Sequence, residues 1–346
     1  MTPSADDGAG RAPDDFAGEP DDGTFLESAT NAAAPHRDLE SVLAVDRLLQ
    51  RYLPFRRLGV RGLRVLSGLQ TRIRNRNPPA VGEVVDGAIP GPAGELPVRA
   101  YRPPGEGPFP TAVFFHGGAF VIGGLDSHDS LCRQLCREAG VVVLAVDYRL
   151  APEHRFPAPL ADAYAAVEWA AAHADRLSGD GSLAVVGDSA GGTLAATVSL
   201  LARDRGGPRI DHQALVYPAV ALDPEQRSVR EHGGTVLSVE DLEWIRELYY
   251  GSELHLRNPY ADPAEARDLS GLPPATVVTA GFDPLRDGGA RYADLLAAAG
   301  VPVRFRNYPD AVHGFATMLD GEGFERAHEL VADLATDLAA ALGDRG

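Results

Sequence analysis

Lysine is absent from this 346-residue sequence, so every one of its 32 basic side chains is an arginine. That absence excludes a phosphate-binding loop ending in Gly-Lys, a Schiff-base lysine and a Ser-x-x-Lys nucleophile. Cysteine is scarce: Cys132 and Cys136 are the only two. They fall on one helical face with no further metal ligands nearby, so helix packing is expected there and no metal site. Long apolar runs are missing too. The strongest, Val141 to Val146, is far shorter than the roughly 18 residues that cross a bilayer. Positive charge is in deficit, leaving a net charge of -17, which repels phosphate backbones and anionic lipid surfaces. Neither nucleic acid nor membrane partners are expected, and a neutral small molecule suits this chain better. The stretch from Met1 to about Pro35 lacks the cationic start and apolar centre of a targeting peptide and carries Asp6, Asp7, Asp14, Asp15, Asp21 and Asp22. A cytoplasmic location is expected.

What is present divides the chain into three textures. Residues 1–35 mix Asp, Gly, Ala and Pro with few large apolar side chains, so they cannot repay the entropy of ordering and are expected to form a disordered acidic tail. Residues 36–80 turn helical, with Leu39, Val42, Leu43, Leu48 and Leu49, then Leu58, Leu63, Leu66 and Leu69, predicting two amphipathic cap helices broken near Pro54. Residues 81–346 alternate short apolar runs with helical stripes, the pattern of an α/β domain with a mostly parallel sheet. Strands are predicted over 111–115, 141–146, 183–186, 214–217, 276–279 and 303–308. The alternation breaks at about 224–266, predicting a second cap piece above the carboxyl ends of the strands.

Gly187-Asp188-Ser189-Ala190-Gly191 sits between the 183–186 strand and a helical run. This strand-turn-helix context is the one in which a serine is held in a strained turn with its hydroxyl exposed. The following helix points its amino end at a reacting carbonyl, so the N–H of Ala190 is the expected first oxyanion donor. Upstream, His116-Gly117-Gly118-Ala119-Phe120 follows the 111–115 strand. Gly117, Gly118 and Ala119 are further donor candidates there, and His116 is expected to brace the loop.

A serine hydroxyl is a poor nucleophile at neutral pH and needs a histidine, itself held by an acid. Of the downstream histidines, His313 alone lies in a loop just after the last predicted strand. His212 and His328 fall at a strand entry and inside a helix, and His232 and His255 in the cap insertion. Asp283 hangs from a loop at the end of the 276–279 strand and is the expected acid. Asp287, at a helix start, and Asp310, too near His313 in sequence, rank behind it. Asp147 to Glu153 reads as support for the oxyanion loop.

Together, His116 to Phe120, Asp147 to Glu153, Gly187 to Gly192, Asp283-Pro284-Leu285-Arg286-Asp287 and His313-Gly314-Phe315 resemble the hormone-sensitive-lipase-like family of bacterial esterases, in its Gly-Asp-Ser-Ala-Gly branch. The likeness covers about Val98 to the carboxyl terminus. It implies an α/β-hydrolase fold with a helical cap, hydrolysis of short to medium acyl esters through an acyl-enzyme, no metal or cofactor, and homodimers as a common assembly. Ala119 replaces the third loop glycine, Thr193 the usual Asn, and Gly288 the usual Glu; none removes a catalytic group. An acyltransferase, amidase or thioesterase would use the same triad, and a non-catalytic binding protein on this fold is the remoter alternative.

Overall fold

The computed structural model describes residues 24–40, 43–44, 55–74, 78–319 and 324–343. Its centre is one eight-stranded sheet: β1 (Glu83–Gly91), β2 (Gly94–Arg102), β3 (Phe109–Phe115), β4 (Val142–Val146), β5 (Gly179–Asp188), β6 (His212–Val216), β7 (Ala275–Phe282) and β8 (Val303–Val312). The spatial order is β1-β2-β4-β3-β5-β6-β7-β8. The β1–β2 hairpin and the β2–β4 pair are antiparallel, and every neighbouring pair from β4 to β8 is parallel.

The continuous apolar runs of the central strands follow from burial on both faces. Val142, Leu144 and Val146 face one core, while Val143 and Ala145 face the other. The helices Ala158–Ala172, Ala190–Arg205 and Arg286–Ala298 cover the first face; Asp129–Ala139 and Glu325–Leu342 cover the second. Cys132 and Cys136 are fully buried in that second core. Burial pushes both thiols up, Cys136 to about 12, so neither is a nucleophile.

The helix after β3 lies on one face and the helix after β5 on the other, so the chain leaves these adjacent strands in opposite directions. A crevice opens at such a point outside the carboxyl ends of the strands, and both glycine motifs emerge there.

Two terminal expectations need correction or restriction. Residues 24–35, read as tail, are ordered against the domain. Thr24 and Glu27 form a capping box on the short helix Phe25–Ser28. The Phe25 N–H donates to Asp294 Oδ1 at 2.7 Å, and the Ala32 N–H to the Pro309 carbonyl at 2.7 Å. Composition missed this because one buried aromatic, Phe25, anchors the segment. Residues 1–23, and most of the first predicted cap helix, lie outside the described residues. The second cap helix spans Phe55–Arg74, with a non-helical break at Gly59, whose φ is 63°. Between β6 and β7 the chain forms the helices Arg227–His232 and Val239–Tyr250 in place of a simple crossover.

Candidate active site

Ser189 sits at the tip of the turn between β5 and the helix Ala190–Arg205, at φ 52° and ψ -118°. A non-glycine residue in that region stores strain on the order of 1–3 kcal/mol. The turn persists because Gly187 and Gly191 let the backbone close on itself: a Cβ on Gly191 would run into the Phe115 carbonyl, and one on Gly187 into Gly191. The Ser189 N–H donates to the Val216 carbonyl at 2.8 Å, tying the turn to β6.

The Ser189 hydroxyl lies 2.9 Å from His313 Nε2, and His313 Nδ1 lies 2.8 Å from Asp283 Oδ2. A carboxylate only accepts, so the proton sits on Nδ1 and leaves Nε2 free to take the serine proton. The second oxygen of Asp283 accepts the Leu285 N–H at 2.8 Å, and its side chain is wholly buried. Both Asp283 and His313 leave their strands at the carboxyl edge of the sheet, so three residues distant in sequence meet in one hydrogen-bonded line.

The rival residues are placed elsewhere. Asp310 is engaged by Arg326 at 3.0 Å, and Asp287 by Arg286 at 2.9 Å and the Ser228 N–H at 2.8 Å. His212 is buried against the Thr276 hydroxyl at 3.0 Å. His232 packs near Arg286, His255 meets the edge of Phe156, and His328 is exposed on the terminal helix.

The oxyanion loop needs one correction. The N–H of Gly117 donates to Asp188 Oδ1 at 2.8 Å, so it is already spent and leaves the set of donor candidates. Among the described residues, no backbone acceptor takes up the N–H of Gly118, Ala119 or Ala190. Gly118 has φ 120°, and a Cβ there would strike the Ile122 carbonyl. Ala119 is also left-handed, at φ 56°, which an alanine tolerates at roughly 1–2 kcal/mol. His116 braces the loop: its Nδ1 donates to the Gly117 carbonyl at 2.8 Å, and its ring stacks on Tyr148 at 4.2 Å. Burial, with His128 adding to it, pushes the His116 imidazole down to about 4, so it stays neutral.

Sequence reasoning missed the group behind this loop. His128 Nε2 lies 3.0 Å from Asp188 Oδ1, and its Nδ1 lies 2.8 Å from the Ser127 hydroxyl. Burial pushes the Asp188 carboxyl up, but His128 and the Gly117 N–H outweigh it and hold the acid below its ordinary range. Only the adjacency of Asp188 to the nucleophile hinted at this role. Arg286 was missed as well. Fully buried, it donates to Asp287 and, at 3.0 Å, to the Gly281 carbonyl, clamping the base of the Asp283 loop. The segment Asp147 to Glu153 supports the oxyanion loop as expected: the Tyr148 hydroxyl donates to the His116 carbonyl at 2.6 Å, and the Ala151 N–H to the Phe120 carbonyl at 2.8 Å.

Two of the departures, one after the nucleophile and one after the acid, are also absorbed. Thr193 donates to the Ala219 carbonyl at 3.0 Å. A Cβ on Gly288 would collide with the Val220 carbonyl, so no larger residue fits without moving that backbone.

A family model described as alpha/beta hydrolase fold matches residues 112–317. The chain belongs to the alpha/beta-hydrolase family. Within it, this hydrolase is 46% identical over 267 residues to the carboxylic ester hydrolase LipN of Mycobacterium tuberculosis, covering 74% of this chain and 71% of the relative. It is 48% identical over 239 residues to the esterase LipI of the same organism, covering 67% and 74%. Among solved structures, a hyperthermophilic esterase from the archaeon Pyrobaculum calidifontis superposes with a TM-score of 0.83 at 38% identity, covering 88% of this hydrolase and 98% of that chain. The resemblance to hormone-sensitive-lipase-like esterases read from the motifs is borne out over the part of the chain these relatives cover.

Among the described residues, no group of three or more His, Cys, Asp or Glu side chains could hold a metal ion, and no helix is long and apolar enough to cross a membrane.

Proposed function

We propose that this carboxylesterase hydrolyses short- to medium-chain acyl esters by a two-step acyl transfer through Ser189. His313 Nε2 takes the hydroxyl proton as Ser189 Oγ bonds to the ester carbonyl carbon, and Asp283 steadies the imidazolium that forms. Negative charge gathers on the former carbonyl oxygen, where the N–H groups of Gly118, Ala119 and Ala190 receive it. Collapse returns the proton to the leaving alcohol and leaves an acyl-Ser189. A water deprotonated by His313 then attacks, releasing the acid and restoring the hydroxyl.

The observation that carries this reading is the line of Ser189, His313 and Asp283 at 2.9 and 2.8 Å. Its test is hydrolysis of p-nitrophenyl esters from acetate to palmitate by the wild type and Ser189→Ala. Activity peaking at the shorter chains, with a loss of at least ~10³-fold in the variant, is expected. Equal rates in the two proteins would overturn the mechanism. The two buried free thiols, Cys132 and Cys136, support a cytoplasmic site of action, where thiols stay reduced.

A further inference from the structure

The net charge of -17 conceals a strongly uneven distribution: nine arginines and no acidic residue occupy the stretch from Arg47 to Gly82. The helix Phe55–Arg74 lies within it. Its inner side is fixed to the hydrolase core. Leu63 is buried there, and Arg64 donates from Nε to the Val121 carbonyl at 2.9 Å and pairs with Glu153 at 2.8 Å. The opposite side is exposed. Arg61, Val65, Leu69 and Arg72 follow one another at helical spacing and all are exposed, Val65 by 65% and Leu69 by 52%. Arg56 and Arg57 stand exposed at the start of the helix.

We propose that this outer stripe docks on an anionic lipid surface, with Val65 and Leu69 entering the headgroup boundary and the flanking arginines meeting lipid phosphates. Exposed apolar side chains rimmed by arginine on a helix lying flat are the chemistry such an interface selects. Screening confines the interaction to groups within about 8–10 Å of the surface, so the acids that oppose it are those on neighbouring elements: Glu153, paired with Arg64, and Glu240, Glu243 and Glu247, exposed on the helix Val239–Tyr250 that packs against this one. A second copy of the chain is a poorer occupant. A two-fold contact through this face would set the arginine rims of the two copies against each other. Because Arg64 ties the helix to Val121, just past the oxyanion loop, docking would hold the catalytic edge of the sheet close to lipid-dissolved esters.

The test is co-sedimentation of the full-length protein with phosphatidylcholine vesicles with and without phosphatidylglycerol, alongside light scattering. Neither readout depends on hydrolysis, so the outcome is separate from that of the esterase mechanism. The wild type is expected to pellet only with vesicles containing phosphatidylglycerol and to be released by salt. Val65→Asp combined with Leu69→Asp should lower that partitioning by ~10-fold or more while leaving hydrolysis of a soluble p-nitrophenyl ester unchanged. No binding to the anionic vesicles, or binding indifferent to the double substitution, would overturn the proposal. So would a dimer in solution that the double substitution splits.

Discussion

The carboxylate of Asp188 accepts the N–H of Gly117 at 2.8 Å while His128 Nε2 stands 3.0 Å from the same oxygen. The residue beside the nucleophile thus fixes the loop that lies across from it. Asp188→Asn keeps the volume but replaces the carboxylate that faces Gly117 and His128 with a neutral amide. The expected result is a fall in kcat of about 10- to 100-fold with little change in KM, since a displaced donor weakens binding of the transition state more than of the ester. Steady-state kinetics on a short-chain ester decide it; a rise in KM at constant kcat would assign Asp188 to substrate binding instead.

Asp283 acts through His313, which it orients from 2.8 Å. Asp283→Asn is expected to retain the fold and lose on the order of 10³- to 10⁴-fold in kcat, because an amide can turn its N–H toward the ring and favour the wrong tautomer. Thermal melting run beside the kinetics separates this from simple unfolding.

His116 and His212 are wholly buried, and burial pushes each imidazole from 6.5 down to about 4. The unfolded chain gains these protons near pH 6.5 and the native chain only near 4, so the unfolded state binds more protons across that window. Stability is therefore full above the window and falls as pH drops through it. Urea unfolding measured across the window should show this decline, and His212→Gln should flatten part of it. A stability that does not change there would mean these rings are protonated in the native state.

The amino-terminal segment separates two truncations. A chain starting at Thr24 is expected to melt with the full-length protein. One starting at His36 loses Phe25 from its place against Phe305, and Asn31 from Arg286. Losing the buried Phe25 alone should cost about 1.5–3 kcal/mol, readable as a lowered urea midpoint. Equal midpoints for the two truncations would mean that residues 24–35 add nothing to stability.

Why some features were legible in the sequence and others were not follows from where their partners lie. The buried parallel strands announce themselves as apolar runs, and Val142–Val146 was placed within one residue. The hairpin β1–β2 was not resolved into strands, since β1 is mostly exposed and carries Pro90 and the glycines Gly87 and Gly91. Ser189, His313 and Asp283 could be picked out because each sits at a strand end with local turn chemistry around it. His128 and Arg286 could not: their roles come from Asp188 and Gly281, contacts that only the folded chain creates. The spent N–H of Gly117 was hidden for the same reason, as its acceptor lies 71 residues away.

The central claim is that Ser189 forms a covalent acyl intermediate. The most direct measurement is intact-protein and peptide mass spectrometry after treatment with a p-nitrophenyl phosphonate ester, whose phosphorus is attacked as an ester carbonyl would be. One phosphonyl adduct per chain, mapped to Ser189 and absent from Ser189→Ala, is the predicted result. An adduct on another residue, or equal labelling of the variant, would contradict it.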